Sequence, residues 1–347
     1  MVRRDAPAQT TGRRLLVAAD RNSYLALLDW IHGAQLASNV GVAGGLDAHQ
    51  GQARLAPDDQ PSRTAEYMAM FRASEHARGA GRRVFADPLA VALLPGSLRL
   101  PARLLAVRPI GDVLTRYIDR QWPGARTSGI ARTRLIDDWI GESIGQAEQI
   151  VLLGAGFDTR AWRLAALNSI KVFEVDHPAT GKVKRERLQA AGADLNRVTF
   201  VAVDFETDDF EQRLRDAGFD PARRTIVVWE GVSQYLTGDA VCGVMRWAGR
   251  LAPRSRFVFT YVHEGAIDGS VVFDGADKVI AKVDGSGEPW RFGLLPSELP
   301  DFLRERGLRL VSDLGADQYR ARVMGEAARH MHGYSFYHTA LAETGDA

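Results

Sequence analysis

The chain has 347 residues, enough for one enlarged catalytic domain, and its 46% hydrophobic and 25% charged residues exclude a largely disordered protein. Its 44 basic and 43 acidic residues leave a formal charge of +1, so no global field points to nucleic acid or an anionic membrane, and a small-molecule partner is expected. The single cysteine, Cys242, cannot form an internal disulfide and reads as a buried thiol; with no apolar run long enough for a secretory signal or a membrane span, a reducing cytoplasm is expected.

Residues 1–60 read as an appendage, a helix-like stretch from Tyr24 to Ala37 leading into a Gly-, Ala-, Gln- and Asp-rich segment. Apolar residues then recur at helical spacing over Thr64 to His76 and Ala86 to Leu94, the second stretch starting at Asp87-Pro88, and again over Ile130 to Ile144. These helices form a cap, about 61–145. From there strand and helix alternate, with strands expected at Ile150 to Leu153, Val172 to Val175, Val198 to Val203, Thr225 to Trp229 and Phe257 to Val262. The alternation predicts an α/β fold with a parallel, doubly wound sheet over about 146–347. A Gly- and Asp-rich loop is expected from Val262 to Pro296, then a capped helix to about Arg306 and two last strands, Leu308 to Val311 and Tyr334 to Leu341.

The strongest chemical signal is Leu152-Leu153-Gly154-Ala155-Gly156-Phe157-Asp158-Thr159-Arg160, because it follows a buried strand and precedes a helix. Gly154 and Gly156 let the backbone turn sharply and approach a ligand there. The second strand ends in Glu174-Val175-Asp176, which places carboxylates where a Rossmann-like fold binds ribose hydroxyls. Nicotinamide dinucleotides and S-adenosyl-L-methionine both use such an acid. Thr159 stands where a dinucleotide site needs its third glycine, and no tyrosine is followed four residues later by lysine, so the pattern favours the methyl donor. At the third strand end, Asp204 can accept from an adenine amino group while Phe205 packs on its face, or Asp204 can cap the next helix. At the fourth, Glu230 is either a site carboxylate or a charged loop residue. Asp158 reads as a cap for the helix that begins beside it.

Thr133-Arg134-Leu135-Ile136-Asp137-Asp138, the glycine segment and Phe173-Glu174-Val175-Asp176-His177-Pro178 together resemble the leucine carboxyl methyltransferase-like family, in its bacterial branch that includes polyketide O-methyltransferases. Arg72-Ala73-Ser74-Glu75, Phe85-Ala86-Asp87-Pro88 and Pro289-Trp290-Arg291-Phe292-Gly293 are similar to further family signatures, so the likeness runs from about Thr64 to Leu341. The resemblance implies a Rossmann-like class I methyltransferase fold, a seven-stranded mostly parallel sheet with an antiparallel last strand and an N-terminal helical cap. It also implies roles toward S-adenosyl-L-methionine: Arg132 for the methionine carboxylate, Gly154 and Gly156 for the turn beneath it, Asp176 or Glu174 for the ribose, Asp204 and Phe205 for adenine, and Glu230 near the amino group. Phe205 stands where the family commonly has leucine.

The implied reaction is O-methylation of a carboxylate or acidic hydroxyl on a small metabolite, a polyketide of secondary metabolism included. Such an oxygen is already ionised, so His263, Glu264 and His338 are not expected to act as a strong base. No metal is expected, since His330 and His332 complete no ligand pattern. An NAD(P)-dependent oxidoreductase and a non-catalytic nucleotide-binding protein are the competing readings.

Overall fold

In the computed structural model, which describes residues 62–107, 109–205, 207–285 and 289–345, the β-branched and apolar runs of the second half form one seven-stranded sheet of order β3-β2-β1-β4-β5-β7-β6. The strands are β1 (Gln149–Leu153), β2 (Lys171–Asp176), β3 (Thr199–Ala202), β4 (Thr225–Trp229), β5 (Arg256–Val262), β6 (Leu308–Gly315) and β7 (Tyr337–Thr344). The first five pair in parallel, and β7 runs antiparallel between β5 and β6, as expected. The appendage and its Tyr24–Ala37 helix lie outside the described residues.

Alternate residues of the strands supply the two buried faces. Val151, Leu153, Phe173, Val227, Trp229 and Phe257 pack on one side, with Val241, Met245 and Trp247 of a helix at Gly238–Ala248. Ile150, Leu152, Val172, Ile226, Val228 and Val258 pack on the other, against Leu135, Ile136 and Trp139. Those three belong to the longest helix of the cap, which comprises α1 (Arg63–Ala77), α2 (Gly96–Leu104), α3 (Ile110–Gln121) and α4 (Ala125–Ser143). Helix α4 is buried along most of its length and carries Arg126, Arg132 and Asp137 inward. Each is matched by an opposite charge; Arg126, for example, forks onto Asp119 at 2.8 and 2.7 Å.

Three expectations are corrected. The Ala86–Leu94 stretch is a run of turns, because N–H groups such as those of Ala90, Ala92 and Leu94 bond carbonyls three residues back and Pro95 follows. The helices of that region are α2 and α3, which the periodicity did not single out. The loop expected between Val262 and Pro296 contains helices at Glu264–Ile267 and Ala276–Gly285. Strand β7 begins at Tyr337 because Tyr334 has φ 66°, left-handed backbone that no strand accommodates, and its carbonyl closes a turn onto the Tyr337 N–H. Cys242 is half-buried, with its Sγ 3.3 Å from Nη2 of Arg306.

The cap is fastened to the sheet by buried charge. Asp87, fully buried, accepts from Nε of Arg72 at 2.9 Å, from Oγ1 of Thr159 at 2.7 Å and from the Ala90 N–H at 3.1 Å. Arg72 also donates to the Phe157 carbonyl in the glycine segment. Replacing Asp87 by Ala strands a buried guanidinium, so denaturant unfolding should show a loss of about 3–5 kcal/mol. Adding Arg72→Met should restore part of that loss.

Candidate functional site

The strand order reverses between β1 and β4, and the carboxyl ends of β1, β2, β3 and β4 open there onto one cavity of about 600 Å³, within the roughly 300–1,000 Å³ of small-molecule pockets. Gly154 leaves β1 with φ +60°, and a Cβ there would stand 2.3 Å from Cγ2 of Val232. Valine at Gly154 would therefore disturb the fold as well as any ligand. Gly156, at φ +48°, gives its N–H to Oδ2 of Asp176, while Oδ1 accepts from the His177 N–H at 2.6 Å. The β1 loop and the β2 end are thus tied through one carboxylate. Burial raises the Asp176 carboxyl, and the two amides hold it back.

Of the expected residues, Arg132, Gly154, Gly156, Asp176, Asp204, Phe205 and Glu230 line this cavity. Glu174 does not. It sits one pleat deeper, 2% exposed, with Lys184 of the Pro178–Ala190 helix 2.7 Å away. Burial pushes its carboxyl up to about 7 against the pull of Lys184. Asp204 is not the cap of the next helix; Asp209 is, accepting from the Gln212 N–H.

Glu230 is more than a loop charge. Nε of Arg132 and Nη1 of Arg160 both reach its carboxylate at 2.8 Å. Burial alone would raise its pKa, but the two arginines outweigh that and hold it ionised. Arg132 lies with its guanidinium 4.8 Å over the Tyr337 ring, and burial loses there to Tyr337 and Glu230, so its charge is secure. Its Nη2 meets Sδ of Met68 at 3.6 Å, a weak acceptor that an incoming carboxylate would better. Arg160 continues the network to Asp158 and, at 2.8 Å, to Asp137, which Arg163 also holds. Asp158 accepts the Arg160 N–H at 2.6 Å, but the cap position of that helix is Thr159, so Asp158 stands one residue before the place expected of it.

Most of the remaining lining was not legible from the motifs. Tyr67 and Met68 come from α1, Trp122 from the end of α3, Tyr235 from the β4 loop, and Trp290 and Tyr337 from the last third. Apart from Trp290, which lies in the Pro289-Trp290-Arg291-Phe292-Gly293 segment, these residues are far apart in sequence and carry no spacing signature, and Val279 and Val283 join them from a helix read as loop. His263, Glu264 and His338 do not line the cavity. Nδ1 of His263 accepts from the Gly265 N–H at 3.0 Å, and His338 bonds Asp313 at 3.1 Å. Among the described residues no His, Cys, Asp and Glu group could hold a metal ion, and no helix is long and apolar enough to cross a membrane.

Residues 65–249 match the leucine carboxyl methyltransferase family. The chain is 35% identical over 209 residues to a protein of Frankia alni named as an S-adenosyl-L-methionine-dependent methyltransferase, covering 59% of this chain and 70% of that protein. A protein of the same description from Mycobacterium tuberculosis is 31% identical over 261 residues, 69% of this chain and 70% of its own length. A crystal structure from Thermobifida fusca, described as a methyltransferase, shares the fold at a TM-score of 0.54 and 15% identity, covering 85% of this chain and 100% of that one.

The buried Glu174 carboxyl has a titration consequence. Its folded pKa stands near 7 against 4.5 unperturbed, so the folded state holds that proton more tightly and loses stability as pH rises through this window. Denaturant titrations at several pH values should therefore show wild type weakening relative to Glu174→Gln from about pH 4.5 to about pH 7, by at most about 1.4 kcal/mol per unit, and a constant difference above.

Proposed function

This chain belongs to the leucine carboxyl methyltransferase family, and we propose that, as an S-adenosylmethionine-dependent methyltransferase, it methylates a carboxylate or acidic hydroxyl oxygen of a small metabolite, such as a polyketide. The observation that carries this reading is that one cavity is lined both by charged residues at the strand ends and by aromatic side chains. The charged residues suit the cofactor group by group. Arg132 would take the carboxylate, Glu230 the ammonium, Asp176 the ribose hydroxyls, and Asp204 with Phe205 the adenine. Gly154, with no room for a side chain, leaves the loop backbone bare beside them.

When bound, S-adenosylmethionine supplies a methyl group on a sulfonium centre. The chain's own part is to align the acceptor and to exclude water. Among the described lining residues the histidine is His177, at the β2 end, and there is no lysine or cysteine. Tyr334 is no base either, because burial first and then Tyr337 and Tyr235 push its phenol far upward and keep it protonated. An acceptor oxygen that arrives ionised fits such a wall. A dry apolar surround favours the quenching of its charge over the separated ions.

The dinucleotide alternative gains no support from the relatives. In this reading residues 61–145 are the cap, 146–347 the cofactor-binding core and 1–60 an appendage, and the enzyme works in the cytoplasm in secondary metabolism, without nucleic acid or membrane.

Calorimetry with S-adenosylhomocysteine tests the cofactor assignment. Asp176→Asn should weaken binding about ten- to hundredfold while the melting midpoint shows a folded protein, the loss of a charged hydrogen bond being about 1.5–3 kcal/mol. For the acceptor, His263→Ala and His338→Ala should change the rate of labelled-methyl transfer by only a few-fold, well short of the roughly hundredfold loss of a general base. A loss of that size, growing with the titration of either histidine, would transfer the reaction to an ordinary hydroxyl.

A further inference from the structure

Three residues that line the cavity carry a buried polar atom with no hydrogen-bond partner among the described residues: Nε of Arg163, whose other guanidinium nitrogens hold Asp137; Oε1 of Gln234; and Nε1 of Trp290. Gln234 is 2% exposed, and its Nε2 donates to the Tyr337 hydroxyl at 3.2 Å. Turning the amide over would leave the nitrogen alone in place of the oxygen, so one amide atom stays unmatched in either orientation. The mount is rigid. The Tyr337 hydroxyl also lies 3.2 Å from Oγ1 of Thr260, which accepts from the Gly231 N–H at 2.8 Å. The Gln234 carbonyl accepts from the Arg291 N–H at 2.7 Å, which joins its loop to the residue after Trp290.

Trp229 and Trp247 also carry unmatched indole N–H groups, but they belong to the sheet core, whereas Trp290 lines the cavity. Gln234, Tyr337 and Trp290 stand on the β4, β5 and β7 side, and Asp176 and Asp204 at the ends of β2 and β3. The orphan atoms of Gln234 and Trp290 are thus set apart from the groups assigned to the ribose and adenine. A methionine or leucine would fill the place of Gln234 without an unmatched atom, so the amide has a partner to meet.

Resting on the methyl-transfer reading above, we propose that Gln234 and Trp290 form a recognition pair for the acceptor, which is an aromatic acid bearing a hydroxyl that is not methylated. That hydroxyl donates to Oε1 of Gln234 and accepts from Nε1 of Trp290. A carboxylate brings no donor and an ammonium no acceptor, whereas a hydroxyl brings both. The aromatic character follows from the walls, where Tyr67 and Trp122 lie tilted with ring centroids 5.8 Å apart and Tyr235 and Tyr334 add two more rings.

The test compares wild type with Gln234→Met and Trp290→Phe by melting midpoint, by S-adenosylhomocysteine calorimetry, and by labelled-methyl transfer to benzoate and cinnamate beside their singly and doubly hydroxylated forms. Wild type should prefer hydroxylated members about tenfold or more in kcat/KM, the cost of leaving a buried group unpaired. In both variants that preference should fall to about threefold or less, with cofactor affinity unchanged and the Gln234→Met midpoint equal or higher. A preference that survives both substitutions overturns the proposal. So does a Gln234→Met midpoint lowered by several degrees, which would assign the amide to the fold. Wild type that binds S-adenosylhomocysteine yet turns over neither class, or both equally, also overturns it and leaves the methyl-transfer reading standing. Failure to bind S-adenosylhomocysteine instead removes that reading itself.

Discussion

Two guanidiniums close on one carboxylate at the floor of the cavity, and the rest of the site is arranged around keeping that contact charged and dry. Arg132 comes from the long cap helix, Arg160 from the segment after the glycine turn, and Glu230 from the end of the fourth strand, so three separate parts of the chain converge on a single pair of oxygens. Asp158, Asp137 and Arg163 extend the network, and Arg72 with Asp87 repeats the pattern at the edge of the cap. Desolvating so many charges costs nearly as much as their attraction returns, so the network's contribution lies in rejecting other arrangements more than in stability. A cap docked differently would leave several buried charges without partners.

The sheet supplies the other half of the geometry. Parallel strands present their carboxyl ends together, and the reversal of order between β1 and β4 opens the crevice in which a loop can stand clear of its neighbours. Asp176, Asp204 and Glu230 then follow without special machinery, each at or just past the last residue of a strand. The aromatic side owes nothing to the sheet's repeat. It is assembled from the cap, from the loop after β4, from the segment after β5 and from the last strand.

How much of this was legible follows from how the information is stored. Strands β1, β2, β4 and β5 are short, mostly apolar runs bounded by turns and buried almost throughout, and their ends fall within a residue or so of the expected places. The glycine turn and the acids at the strand ends are local in sequence and could be read there. Glu174 misled, because spacing cannot tell which of two carboxylates on one face of a strand reaches the rim and which is one pleat too deep. Helices α2 and α3 escaped notice because Pro95 and Pro109 stand at their N-caps and Pro101 lies inside α2, so the pattern is interrupted. Phe205 and Trp290 differ from Tyr67 and Trp122 in one respect only: the former adjoin a recognisable motif, and the latter are joined to the site by tertiary packing alone.

The place of β7 has a consequence for how the molecule is made. This strand lies between β5 and β6 although it is made after the other six, and Tyr337 at its start supports Arg132 from beneath. Until the residues up to Thr344 have emerged, β5 has an unpaired edge, β6 has no neighbour, and the cavity lacks part of its floor. Contacts such as Ser128 to Tyr319, 191 residues apart, must wait as well. Pairing over such distances is slow, and synthesis proceeds at about 5–20 residues per second. For the interval between the completion of β5 and the arrival of β7, the nascent chain therefore carries an open apolar strand edge, and that interval is when it is most exposed to pairing with the wrong partner.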